Sequence, residues 1–182
     1  MKVFLINILT LSRIFLAAII FLLLMTKDGY LLALILFFVA SVTDYFDGYF
    51  ARKYNASSQI GEIIDPLSDK ILILFLIIGL AINLSSYLIG FVGALIIARE
   101  IWVLALRDFN ARNNKINATK VTFIAKTKTF TQMLMISIYL TGLAFSNMFL
   151  IIIGDIFLFM SLFITLYTGL IYTLKSFQQN GL

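Results

Sequence analysis

Asp44-Tyr-Phe-Asp47-Gly48-Tyr-Phe-Ala51-Arg52, then eight residues, then Gly61-Glu-Ile-Ile-Asp65-Pro-Leu-Ser-Asp69: four aspartates stand at fixed spacing between apolar runs. Tyr30 to Thr43 upstream and Ile71 to Leu84 downstream carry no charge. Both stretches therefore read as membrane helices, in which an ionised side chain costs roughly 2.5–3.5 kcal/mol at mid-depth. At 3.6 residues per turn, Asp44 and Asp47 share one helix face, Asp65 and Asp69 share another, and Gly61 lies one turn before Asp65. Two such helices side by side gather four carboxylates. The spacing alone leaves two readings, interhelical ion pairs near the interface or a divalent-cation site. Arg52 and Lys70 are too few to neutralise four anions, and clustered carboxylates ionise together only when cations join them. Gly48 and Gly61 either admit a bulky ligand to the backbone or let helices pack closely.

Outward from this stretch the whole chain has the same character. Of 182 residues, 62% are hydrophobic and 13% charged, about half the charged fraction of a soluble domain. Six apolar stretches, near Phe4–Met25, Tyr30–Ala51, Gly61–Leu80, Tyr87–Leu106, Lys128–Phe145 and Met148–Tyr172, each approach the roughly 20 residues that span hydrocarbon. The expected fold is an all-α membrane protein of six transmembrane helices, forming one domain over residues 1–182. The first stretch resembles a signal peptide, but Arg13 interrupts it and no small-residue cleavage site follows, so it reads as a retained helix. An even number of spans puts both termini on one side. Lys2, Arg52, Lys53, Arg107, Arg112, Lys115, Lys120, Lys126, Lys128 and Lys175 fall on that side against Lys27 opposite, which makes it cytoplasmic. The net charge of +5 serves that anchoring and attracts anionic lipids and phosphorylated substrates.

The chain contains neither Cys nor His. That excludes disulfides, Cys/His zinc sites, histidine bases and phosphohistidine intermediates. Any metal must be held by oxygen, which suits Mg²⁺ or Mn²⁺.

Taken together, the eight fixed positions D-x2-D-G-x2-A-R-x8-G-x3-D-x3-D resemble the complete signature of the CDP-alcohol phosphotransferase family. Flanking elements are similar to those of its phosphatidylglycerophosphate synthases: Asn7-Ile-Leu-Thr10-Leu-Ser-Arg13, Ile64 to Lys70, Ala98-Arg99-Glu100-Ile101 with Ala105-Leu106-Arg107-Asp108, and Ala125-Lys126-Thr-Lys128-Thr129 with Gln132. The resemblance covers about Asn7 to Gln132. Ala125 replaces that element's usual Gly, and the customary proline before Thr10 is missing.

The resemblance implies a homodimer in the bacterial inner membrane with a cytoplasm-facing polar active site. Its substrates would be CDP-diacylglycerol and glycerol 3-phosphate, and its products phosphatidylglycerophosphate and CMP. It implies two divalent cations held by Asp44, Asp47, Asp65 and Asp69, with Asp69 also the base. Gly48, Ala51, Arg52 and Gly61, with Asn7 and Thr10, would meet the CDP-lipid. Arg99, Arg107, Lys126 and Lys128 would meet the acceptor phosphate. Alternatives are a cardiolipin, phosphatidylserine or phosphatidylinositol-phosphate synthase, or, in another class, a small ion transporter, although no internal repeat is present and the acids cluster toward one face. No nucleic-acid partner is expected. Beyond Gln132 the last two helices carry only Asp155 and Lys175 and read as scaffold.

Overall fold

A computed structural model describes the backbone at residues 2–54, 59–113, 115 and 123–180, and side chains at 11–43, 67–113, 115 and 127–178. Its regular elements are helices: α1 (Lys2–Leu23), α2 (Tyr30–Tyr54), α3 (Gln59–Asn83), α4 (Tyr87–Arg112), α5 (Phe123–Ala144) and α6 (Met148–Asn180), with a 3₁₀ turn at Lys27–Gly29. The all-α expectation of six helices holds. Most ends lie beyond the apolar stretches. Hydropathy registers where hydrocarbon contact stops, whereas the hydrogen-bond ladder continues into polar sequence. α4 extends to Arg112 and α6 to Asn180 in this way.

Two of the short turns share one construction. At the end of α3, Ser85 has φ 48° and Ser86 N–H donates to the Ala81 carbonyl at 2.9 Å. At the end of α5, Ser146 has φ 50° and Asn147 N–H donates to the Gly142 carbonyl at 2.8 Å. Both are left-handed helix stops that satisfy otherwise orphaned carbonyls, with serine in the position glycine usually fills. Ser86 then caps α4, accepting from Ile89 N–H, and the Asn147 side chain accepts from Phe149 N–H as α6 begins. Each turn thus ends one helix and starts the next within a few residues.

The helices close a ring. α1 packs on α2 and α3, α3 on α4, α4 on α6, α6 on α5, and α5 on α2, while α3 also touches α5 across the middle. Ala17, Ile20, Phe37, Leu72, Leu76, Ile96, Met135 and Tyr139 are among the buried residues of the common core. Gly93 allows α3 and α4 to approach, since a Cβ there would collide with Cγ2 of the buried Ile77. Gly93→Ala is expected to destabilise the fold by about 1–3 kcal/mol through overpacking, read as a lower unfolding temperature in detergent. Adding Ile77→Ala should recover part of that loss.

The exterior is unlike that of a soluble protein. Phe15, Phe91, Phe149, Phe163 and Leu170 are all at least 64% exposed, whereas Arg13, Arg99, Asn110, Lys128, Gln132 and Thr168 are buried. An apolar exterior, with a few polar side chains set into an otherwise apolar core, is what lipid solvation selects. Among the described residues, α4 and residues 148–178 of α6 are long and apolar enough to cross a membrane.

Candidate active site

Asp44, Asp47, Gly48, Ala51 and Arg52 fall on α2, and Gly61, Asp65 and Asp69 on α3, so the motif occupies two successive helices. The side chains of Asp44, Asp47, Ala51, Arg52 and Asp65, with those of Asn7, Thr10 and Lys126, lie outside the described residues, as does the setting of Gly48 and Gly61. Asp69 is described, and it is half-buried. Its Oδ1 accepts a charge-assisted hydrogen bond from Nη1 of Arg13, which reaches it from α1 and is itself 2% exposed. The arginine that interrupts the first apolar stretch therefore belongs to the motif's last carboxylate.

Beside Asp69 opens a cavity of about 570 Å³ between α3, α4, α5 and α6. α4 and α5 have no close backbone contact among the described residues, and the cavity lies where they stand apart. Asp69 and Lys70 come from α3, Arg99, Glu100 and Arg107 from α4, Lys128 and Gln132 from α5, and Tyr172 from α6. Three of the four expected acceptor residues, Arg99, Arg107 and Lys128, are thus brought to one space with the motif carboxylate. Among the described residues, the lining of a larger groove of about 820 Å³ between α3 and α4 has no charged residue and offers nothing to a phosphate.

Glu100 organises the cations. It accepts from Lys128 Nζ at 2.5 Å and from Arg99 Nη1 at 3.0 Å, joining α4 to α5 across the cavity. Arg99 Nη2 donates to Thr168 Oγ1 at 2.6 Å. In this buried setting the pairs fix side-chain positions more surely than they add stability, because desolvation offsets much of the attraction. Four cationic side chains, Lys70, Arg99, Arg107 and Lys128, face two carboxylates, Glu100 and Asp69, and Asp69 already pairs with Arg13. Among the described residues the lining therefore carries excess positive charge. Moreover, Nε of Arg99 and Nε of Arg107 are buried with no hydrogen-bond partner among the described residues. Buried donors are rarely left that way, and an anionic, oxygen-rich ligand would satisfy them.

α6 departs from the scaffold expectation. Ser161, Thr165, Thr168, Tyr172 and Ser176 are all buried, and their spacing of four, three, four and four places them on one helix face. Thr168 holds Arg99, Thr165 accepts from Gln132 Nε2 at 3.4 Å, and Ser176 donates to Asn110 Oδ1 at 3.0 Å. This polar stripe is visible in the sequence once hydroxyl residues are counted alongside charges. Arg13 and Glu100 were visible too, as ionisable groups inside apolar stretches.

The motif's donor chemistry fits a hard divalent cation, since carboxylate oxygen is what such ions prefer and the chain offers no competing Cys or His ligand. Among the described residues no three acidic groups gather, three of the four motif aspartates lying outside them.

The sequence profile of the family described as CDP-alcohol phosphatidyltransferase matches residues 3–167. Similar proteins include one from Rickettsia bellii, 41% identical over 78% of this chain and 77% of its own length. Another from Rickettsia felis is 39% identical over 91% of both chains. A third from Shigella flexneri is 34% identical over 77% of this chain and 75% of its own length. All three are named CDP-diacylglycerol–glycerol-3-phosphate 3-phosphatidyltransferase.

Proposed function

Because the chain belongs to the CDP-alcohol phosphatidyltransferase family, we propose that it transfers the phosphatidyl group of CDP-diacylglycerol to glycerol 3-phosphate, releasing phosphatidylglycerophosphate and CMP. The acceptor hydroxyl attacks the phosphorus joined to diacylglycerol. A new P–O bond forms, the P–O bond to CMP breaks, and the hydroxyl proton passes to Asp69. Asp44, Asp47, Asp65 and Asp69 would hold two divalent cations, Mg²⁺ or Mn²⁺, which when bound supply charge neutralisation on both sides of the displacement. Arg13 fixes one oxygen of Asp69 by its ion pair and so orients the carboxylate. Gly48, Ala51, Arg52 and Gly61, with Asn7 and Thr10, form the CDP-lipid subsite, Arg52 against phosphate.

The observation that carries the acceptor reading is the excess of cations beside Asp69 among the described residues, where two guanidinium Nε donors also have no hydrogen-bond partner. The phosphate of glycerol 3-phosphate is not the group transferred, so it needs a cationic subsite of its own. Arg99, Arg107 and Lys128, joined by Lys126, supply it. Charge-assisted contacts of roughly 1.5–3 kcal/mol each give an expected rise in acceptor KM of about ten- to a hundredfold for Arg107→Gln or Lys128→Gln, with the CDP-lipid KM moving far less. Radiolabelled transfer by the purified protein checks this. Glycerol should be a poor acceptor for the wild type, and the variants should narrow the gap. Equal use of glycerol and glycerol 3-phosphate by the unmodified enzyme overturns the subsite.

The apolar exterior and the basic bias of one set of loops support six spans in the bacterial inner membrane, with both termini and the active site cytoplasmic. Residues 1–182 then act as one domain, and a homodimer is the proposed assembly.

A further inference from the structure

Resting on that acceptor reading, we infer that Tyr172 of α6 is a positioning residue for the acceptor phosphate, its ring setting the places of two guanidinium groups. Arg99 and Arg107 stand eight residues apart on α4, about 12 Å along the axis. Their Cζ atoms nevertheless converge on one ring, at 6.0 Å and 5.8 Å from the Tyr172 centroid. Two like charges drawn toward one point repel. The electron-rich face of a buried aromatic ring offsets that repulsion without adding a further salt bridge to the one Arg99 already makes with Glu100. Tyr172 is 2% exposed and lines the cavity, so its ring is shielded from solvent. A carboxylate in its place would pair with the guanidiniums and lower their affinity for phosphate.

Neighbouring α6 residues serve the same end. Thr168 accepts from Arg99 Nη2, and its own hydroxyl is directed by donating to the Ile164 carbonyl at 2.8 Å. Gly169 leaves room for the arginine, since a Cβ there would lie 2.9 Å from both Cγ and Nε of Arg99. Hydroxyl, missing side chain and ring thus follow one another along the face that α6 turns toward α4. The last helix sets how the acceptor is held, although none of its residues carries the charge that holds it.

Kinetics of purified, detergent-solubilised enzyme test this. Tyr172→Leu should raise the glycerol 3-phosphate KM about three- to thirtyfold, the range expected for lost cation–π contacts, while leaving the CDP-diacylglycerol KM within about twofold. Tyr172→Phe keeps the ring and should keep the acceptor KM near the wild-type value. Should Tyr172→Leu fail to fold, Thr168→Val against Thr168→Ser gives the same contrast through Arg99, with only the valine variant losing acceptor affinity. Equal defects in the Phe and Leu variants, or parallel rises in both substrates' KM, overturn the positioning role. Arg107→Gln is the control on the underlying reading: if it weakens acceptor binding and Tyr172→Leu does not, only the present inference fails. If neither does, the acceptor subsite itself is wrong.

Discussion

Asp65→Asn is expected to leave a folded protein that no longer transfers phosphatidyl groups, and Asp44→Asn and Asp47→Asn should behave alike. An amide keeps the size and an oxygen of the carboxylate but not the charge, and it is the charge that offsets a divalent ion. Metal assistance supplies several kcal/mol of stabilisation to a displacement at phosphorus. At about 1.4 kcal/mol per tenfold, the loss should be about a hundredfold or more in kcat. The check is transfer activity at saturating Mg²⁺ together with a monodisperse elution profile in detergent. Substantial activity in two of the three variants would remove those residues from the metal site.

Asp69→Asn should be at least as damaging but differently distributed. The substitution removes the proposed proton acceptor, a contribution of about a hundred- to ten-thousandfold for a positioned base. It retains an oxygen for Arg13, so the tie between α1 and α3 can persist. CDP-diacylglycerol binding should therefore survive while kcat collapses. An unchanged kcat with only a raised KM for either substrate would end the case for Asp69 as the base.

Both experiments rest on a motif that could be read before any coordinates. Carboxylates inside apolar sequence are conspicuous because lipid makes them costly, and fixed spacing turned that anomaly into a family resemblance. The same reasoning picked out Arg99, Arg107 and Lys128, which share one cavity. It failed where the signal was not charge. Tyr172, Thr168 and Gly169 are ordinary residues for a membrane helix, and only the packing of α6 on α4 shows that two of them contact Arg99 and that the third leaves it room. Arg13 and Glu100 were legible as anomalies but not as partners, because pairing Arg13 with Asp69 or Glu100 with Lys128 requires knowing which helices adjoin. Helix ends were legible only as the limits of hydropathy, which explains why α4 and α6 exceed their apolar stretches.

The ring order also constrains how the protein is made. α6 packs on both α4 and α5, and α5 in turn reaches back to α2. A nascent chain that has released only its first five helices has the motif helices and the basic residues of α4 and α5. It still lacks the element that occupies the place between α4 and α5. Arg99 in that intermediate has no Thr168, and Gln132 has no Thr165. Polar groups without their mates in hydrocarbon draw in water or lipid headgroups, so the half-made bundle must stay loose or be shielded by the insertion machinery. The cavity is complete only once α6 has joined the other helices. Assembly of the cavity beside Asp69 waits on α6, and a ribosome that stalls before Thr168 leaves a chain in which that cavity is incomplete.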